Sequence, residues 1–244
     1  MSPVDFWLWP IGKAGAGDWA VLDTAERNRA ERFLHDRHRT AFIRAHAGRR
    51  AILGRLTGQP PASLCFAEGP HGKPALAPAG VPPFFSLSHS GAFAALAVSA
   101  EHELGLDIEI RRPVEVMAMA REFFSPEEYR SLTTLPRRHR LTGFFNAWTR
   151  KEAFLKAIGL GLTVPLANFS VSLVPGAAPC LRHVAWDPEE AACWMMAAFE
   201  PMPDVIGAIA IRDHGWRIRY RDPQEAELAA PQPGASLFST SPAR

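Results

Sequence analysis

Gly105-Leu-Asp-Ile-Glu-Ile110 alternates along its length, with Leu106, Ile108 and Ile110 on one face of a strand and Asp107 and Glu109 on the other. Residues two apart on a strand stand roughly 6.5 Å from one another and point the same way. Two carboxylates so placed repel each other unless a cation lies between them, which suits a hard divalent ion. A solvated sheet edge carries the same pattern, so this strand alone does not choose between the two readings.

The partner stretch is Trp148-Thr-Arg-Lys-Glu-Ala-Phe-Leu-Lys156, rich in good helix formers and followed by Gly159 and Gly161. Trp148, Glu152 and Lys156 recur at i, i+4 and i+8 and share one ridge of a helix. Lys151 lies about 100° round from Glu152. Three carboxylates for one Mg²⁺ and lysines for phosphate oxygens are the groups that diphosphate chemistry uses. An exposed, salt-bridged helix face would show the same Lys-Glu spacing.

Three more blocks stand in order around these: Gly72-Lys-Pro74, Phe85-Ser-Leu-Ser-His-Ser90 and Phe123-Phe-Ser-Pro-Glu-Glu-Tyr129. Lysine usage adds weight. The chain has 23 arginines and four lysines, and Lys73, Lys151 and Lys156 all fall in the quoted blocks. Local chemistry there favours a compact ammonium over a guanidinium. With all five blocks in place, the chain from about residue 25 to residue 173 resembles the 4′-phosphopantetheinyl transferases of the long, Sfp-like type.

The resemblance implies an α+β fold of two similar α+β lobes in a pseudo-twofold arrangement, with the active site between them. It implies transfer of the 4′-phosphopantetheine arm of coenzyme A to a serine of an apo acyl or peptidyl carrier protein, releasing adenosine 3′,5′-bisphosphate. Asp107, Glu109 and Glu152 would hold Mg²⁺ on the diphosphate, and Glu152, or a water beside it, would take the serine proton. Lys156 would neutralise charge on the phosphoryl group, with Lys151 behind it. On the coenzyme A side, Arg27 and Arg29 ahead of Phe33, and Arg39 beside Thr40, match basic residues that hold the 3′-phosphate. Lys73 would reach toward the adenine end, and Ser88 and His89 match residues that contact the cofactor phosphates. Ser86 stands where an Asn is common and is given no role.

Other classes use some of the same residues. A metal-dependent diphosphate hydrolase would need these carboxylates but no carrier protein. A silent carrier-binding module would have lost them, and all three are present. A Ser-His hydrolase lacks support, because no Gly-x-Ser-x-Gly elbow occurs.

Between residues 26 and 50 stand Arg27, Arg29, Arg32, Arg37, Arg39, Arg44, Arg49 and Arg50, against Glu26, Glu31 and Asp36 alone. Such a cluster reads as a solvated, salt-bridged face for most of its members, or as an anion cradle, since guanidinium forks suit phosphate. Nucleic acid is disfavoured as a partner: no sustained basic surface or aromatic-basic motif accompanies the cluster.

The chain has 244 residues, 47% of them hydrophobic and 21% charged, which suits one large domain or two small ones. Cys65, Cys180 and Cys193 are far apart and show neither zinc nor redox spacing, so a cytoplasmic setting is expected. Neither a signal peptide nor a run long enough to span a membrane is read, and the length suits a monomer. Helices are expected over 25–34, 36–56, 114–123, 126–135 and 138–158, with Phe42, Ile43, Ala47, Ile52 and Leu53 as the buried side of the second. Strands are expected over 4–11, 64–66, 75–76, 84–90, 92–100, 105–110, 169–174, 193–199, 205–211 and 216–220. The order of elements repeats, so residues 1–103 are read as an N-terminal lobe and 104–222 as a C-terminal lobe carrying the metal site. Residues 223–244, rich in Pro, Ala, Ser and Gly, are read as a disordered tail.

Overall fold

The computed structural model describes residues 1–228. The apolar start of the chain forms β1 (Ser2–Pro10), which buries Val4, Phe6, Trp7 and Trp9. α1 (Ala16–Ala20) and α2 (Thr24–Glu31) follow. α2 begins where Asp23 accepts from the Glu26 N–H and Glu26 reaches back to the Asp23 N–H, a reciprocal cap. α3 (Asp36–Thr57) leads to the hairpin of β2 (Phe66–Glu68) and β3 (Pro74–Leu76). Then come β4 (Phe84–Ser90), β5 (Phe93–Ser99) and β6 (Leu104–Ile110). The second half has α4 (Val116–Phe123), α5 (Pro126–Thr134) and α6 (Arg137–Ile158). It continues through β7 (Phe169–Val171), β8 (Leu181–Val184), β9 (Met195–Met202), β10 (Val205–Ile211) and β11 (Trp216–Tyr220).

Four strands pair in the order β11-β1-β5-β4 and three in the order β6-β10-β9, while β7 and β8 form a second hairpin. β11, expected among the strands of the second half, runs parallel to β1 and so lies in the first sheet. α3 packs on β4 and β5, and α6 packs on β6 and β10. The fold is mixed α+β, as expected.

The close approach of α6 to β6 explains the glycine that opens the Gly105–Ile110 stretch. A Cβ at Gly105 would lie 1.9 Å from the Ala153 carbonyl oxygen and 2.4 Å from the Ala157 nitrogen. No side chain fits there, so helix backbone lies directly on strand backbone.

Of the arginine cluster, Arg29, Arg32 and Arg37 are exposed, as a solvated face requires. Arg44, Arg49 and Arg50 are buried instead, beside the expected apolar residues of α3. Arg50 binds Glu26 at 2.7 Å, Asp23 at 2.6 Å and the carbonyls of Pro61 and Leu64 at 3.0 and 2.9 Å. Arg44 binds Asp18 at 2.8 Å and Glu227 at 2.7 Å. Each buried guanidinium is thus matched by carboxylates from neighbouring segments, which is what makes its burial tolerable.

The expectation of disorder from residue 223 is corrected for residues 223–228. Pro223–Ala226 form a 3₁₀ turn, and Ala226 is buried. The Trp7 indole N–H donates to Glu225 at 3.0 Å, and Arg55 donates to the carbonyls of Glu225 and Glu227. Composition missed these partners because they are supplied by β1 and α3, not by the segment itself. Residues 229–244 lie outside the described residues.

Candidate active site

β6 turns Gly105, Asp107 and Glu109 toward α6, while Leu106 and Ile108 are buried in the core on its other side. Asp107 is buried, and its Oδ1 accepts from Lys156 Nζ at 2.7 Å and from Ser88 Oγ at 3.0 Å. Its Oδ2 is also buried and has no hydrogen-bond partner. Glu109 accepts from Ser90 Oγ at 2.6 Å and from Arg112 at 3.0 Å. Burial pushes the Asp107 carboxyl up, against the pull of the Lys156 ammonium. Glu152, half-buried on α6, is pushed up by burial and then by the negative charges of Asp107 and Glu109, with Lys156 opposing.

Among the described residues, no three His, Cys, Asp or Glu side chains stand together in an arrangement ready to hold a metal ion. The chemistry of the donor set nonetheless fits a hard cation. It offers oxygen groups only, one of them buried and unpartnered, and charges close enough to raise the Glu152 pKa.

Lys156 also lines a cavity of about 720 Å³ that runs away from the carboxylates toward α2 and α3. Near Lys156 its wall carries His89, Lys73 and Gly159, whose left-handed backbone (φ +68°) closes α6. Lys73 donates to the Ala157 carbonyl at 3.0 Å and pairs with Glu103, which ties the β2–β3 turn to the end of α6. His89 is exposed on one side and has protein on the other. That burial, and the Lys156 ammonium, hold its imidazole below the usual range, against Glu109.

Toward α2 and α3 the wall is Arg29, His38, Phe42, His46, Arg49 and Phe66. The Arg49 guanidinium lies 3.9 Å from the Phe66 ring centre, and His46 stacks on Phe42 at 3.8 Å. Burial alone would raise the Glu26 carboxyl, yet the His46 hydrogen bond and the Arg49 and Arg50 charges pull it down to about 2. Burial, then the Arg49 charge, push His46 down to about 4, against the Glu26 hydrogen bond. His38, His46 and Arg49 were not singled out from the sequence. The signal was present, because 38, 42, 46 and 49 fall on one stripe of a helix.

Of the expected site residues, Asp107, Glu109, Glu152, Lys156 and Ser88 come together, and Arg29, Lys73, His89 and Lys156 line the cavity. Three do not join them. Lys151, expected behind Lys156, is fully buried and donates to the carbonyls of Leu166 at 2.8 Å and Phe169 at 2.5 Å, with the Glu128 carboxylate at 2.8 Å. Its rotation round the helix from Glu152 carries it into the core, where Glu128, itself half of the Ser125–Glu128 cap of α5, receives it. Arg27 donates to the carbonyls of Trp19 and Ala20, and Arg39 to that of Phe33 and to Asp36. Neither is among the residues lining the cavity.

Comparison with known proteins gives the family. The model of the 4′-phosphopantetheinyl transferase superfamily matches residues 103–210, which span β6, α6 and nearly all of β10. The chain is 33% identical over 206 residues to the 4′-phosphopantetheinyl transferase HetI of Nostoc sp. (strain PCC 7120), covering 82% of this chain and 83% of that protein. It is 32% identical over 156 residues to the 4′-phosphopantetheinyl transferase Sfp of Bacillus subtilis (strain 168), covering 63% and 67% of the two chains. It is 42% identical over 111 residues to the 4′-phosphopantetheinyl transferase AcpT of Salmonella typhi, covering 45% and 56%. The chain belongs to the 4′-phosphopantetheinyl transferase superfamily. It is a transferase that moves phosphopantetheine from coenzyme A to a carrier protein, and the hydrolase and silent-module readings find no support. Among the described residues, no helix is long and apolar enough to cross a membrane.

Proposed function

We propose that the group at Asp107, Glu109, Glu152 and Lys156 performs this transfer onto a serine hydroxyl of an apo acyl or peptidyl carrier protein. The single observation that carries the assignment is Lys156: the residue lines the cavity, and its ammonium lies 2.7 Å from Asp107 Oδ1. It therefore joins a space able to hold a coenzyme to a group of carboxylates. Asp107, Glu109 and Glu152 would hold Mg²⁺, which when bound supplies positive charge to the diphosphate oxygens. The serine oxygen forms a bond to the phosphorus that carries the pantetheine arm, the diphosphate bridge breaks, and adenosine 3′,5′-bisphosphate leaves. Glu152, or a water beside it, takes the serine proton. Burial and neighbouring carboxylates raise its pKa, which makes it a stronger base. Lys156 balances charge on the phosphoryl group in transfer.

Arg29, Lys73 and His89 on the cavity wall would bind the phosphates and adenosine of coenzyme A. Residues 1–103 and 104–222 would serve as two lobes about this site, with β4 on one side and β6 and α6 on the other, and β11 returning to the first sheet. The enzyme would work as a cytoplasmic monomer, without nucleic acid or membrane. The unpaired state of Cys65, Cys180 and Cys193 supports the compartment. Turnover with Mg²⁺ against turnover in excess chelator tests the carboxylate assignment. Full activity in chelator contradicts it.

A further inference from the structure

β4 and β6 belong to different sheets, yet three serines of β4 reach across to β6 at a fixed offset. Ser86, Ser88 and Ser90 accept from the backbone N–H of Leu106, Ile108 and Ile110 at 2.9, 3.2 and 3.1 Å. A side-chain hydroxyl thus takes the place of a backbone carbonyl, and its proton is left over for another acceptor. Ser88 directs that proton to Asp107 Oδ1 at 3.0 Å, and Ser90 directs its own to Glu109 Oε2 at 2.6 Å. Ser86 meets Gly105 at the corresponding place, where there is no side chain to receive it.

We propose that Ser88 and Ser90 are positioning residues, which anchor to the β6 backbone and fix the Asp107 and Glu109 carboxylates by donating one hydrogen bond to each. The hydroxyl inventory supports this role. Ser88 has one proton and two lone pairs; it donates to Asp107 and accepts from the Ile108 N–H and from Lys156 at 3.1 Å. Two like charges on adjacent outward positions of a strand turn away from each other unless held. A short, charge-assisted bond to one oxygen of each fixes the rotamer and leaves the second oxygen of Asp107 free. All three serines are buried, which shields these bonds from competing water.

Ser86 supplies the control, since it makes the same joint between sheets without a carboxylate. The test compares Ser90→Ala with Ser86→Ala in the full chain. One readout is a double-mutant cycle on denaturant unfolding of metal-free protein, with Glu109→Ala made in the presence and absence of each serine. The effect of Glu109→Ala on the unfolding equilibrium constant should change by about threefold or more when Ser90 is absent, and should not depend on Ser86. The second readout is Mn²⁺ binding by calorimetry. Its Kd should rise about tenfold or more in Ser90→Ala, recover in Ser90→Thr and stay unchanged in Ser86→Ala. This second arm rests on the metal assignment proposed above. Absence of Mn²⁺ binding by the wild type removes that assignment, and the unfolding cycle still decides the role of Ser90. If Ser90→Ala fails to fold, Ser90→Cys, a much weaker donor, replaces it in both arms. Equal coupling of Glu109 to both serines, or none to Ser90, overturns the proposal and leaves the serines as a joint between sheets.

Discussion

Gly105→Ala would add one methyl group, and the structure sets what that must displace. The new Cβ would stand 1.9 Å from the Ala153 carbonyl oxygen, where ordinary contact begins at 3.4 Å. α6 and β6 must therefore separate by about 1.5 Å, because both clashing groups are backbone with no rotamer to relieve them. Overpacking of this kind costs about 1–3 kcal/mol, and the upper end applies here. In a chain of this length, about 3 kcal/mol lowers Tm by about 6–12 °C. Function should suffer more. β6 carries Asp107 and Glu109, α6 carries Glu152 and Lys156, and a displacement of about 1 Å can cost roughly a hundredfold in rate. Thermal unfolding, together with turnover measured well below the Tm, gives both numbers. An unchanged Tm and unchanged turnover would refute the close-approach account of this glycine. A lower Tm with full turnover would show that the separation does not reach the site.

Glu152→Gln keeps size and removes the carboxylate proposed as base, so turnover should fall at least about a hundredfold while the unfolding midpoint stays near wild type. Near-normal transfer would remove Glu152 from the mechanism. Lys151→Met should act on stability and not on chemistry: leaving Glu128 buried without its cation should cost about 3–5 kcal/mol, read by urea unfolding, with kcat close to wild type in the folded fraction. His46 titrates at about 4 in the folded chain against an ordinary value of 6.5. The unfolded chain therefore takes up the proton first, and about 3 kcal/mol of stability, full above pH 6.5, is lost as pH falls to about 4. His46→Gln should flatten that part of the stability–pH curve, and an unaltered slope would contradict the assignment. Arg29→Ala should weaken coenzyme A about tenfold or more and dephospho-coenzyme A little, whereas Arg39→Ala should not separate the two ligands. Equal losses with both ligands would make Arg29 a general charge.

The carboxylate strand and its helix were legible because periodicity alone places Asp107 and Glu109 on one face and Glu152 and Lys156 on one ridge. Packing does not change a face once the register is set. Lys151 shows the limit of the same reasoning. Its helical angle was known, but what lay at that angle depended on Glu128 from α5 and on two carbonyls near β7, far away in the sequence. The arginine cluster divided for a similar reason. Arg44, Arg49 and Arg50 have acids opposite them, and those acids, Asp18, Asp23, Glu26 and Glu227, come from three segments. β8 and α1, of four and five residues, went unread: neither is long enough for a period to show, and neither stands beside a turn like Gly72-Lys-Pro74, which marked the still shorter β2 and β3. The serine joint could be glimpsed as alternation in β4, but its partner strand belongs to another sheet, which no local pattern reveals.

The most direct test incubates the full chain with coenzyme A, Mg²⁺ and an apo carrier protein, and weighs the carrier by mass spectrometry. The account predicts a gain equal to one phosphopantetheine arm on a serine, with one adenosine 3′,5′-bisphosphate released for each carrier modified. A carrier of unchanged mass while coenzyme A is split would contradict it.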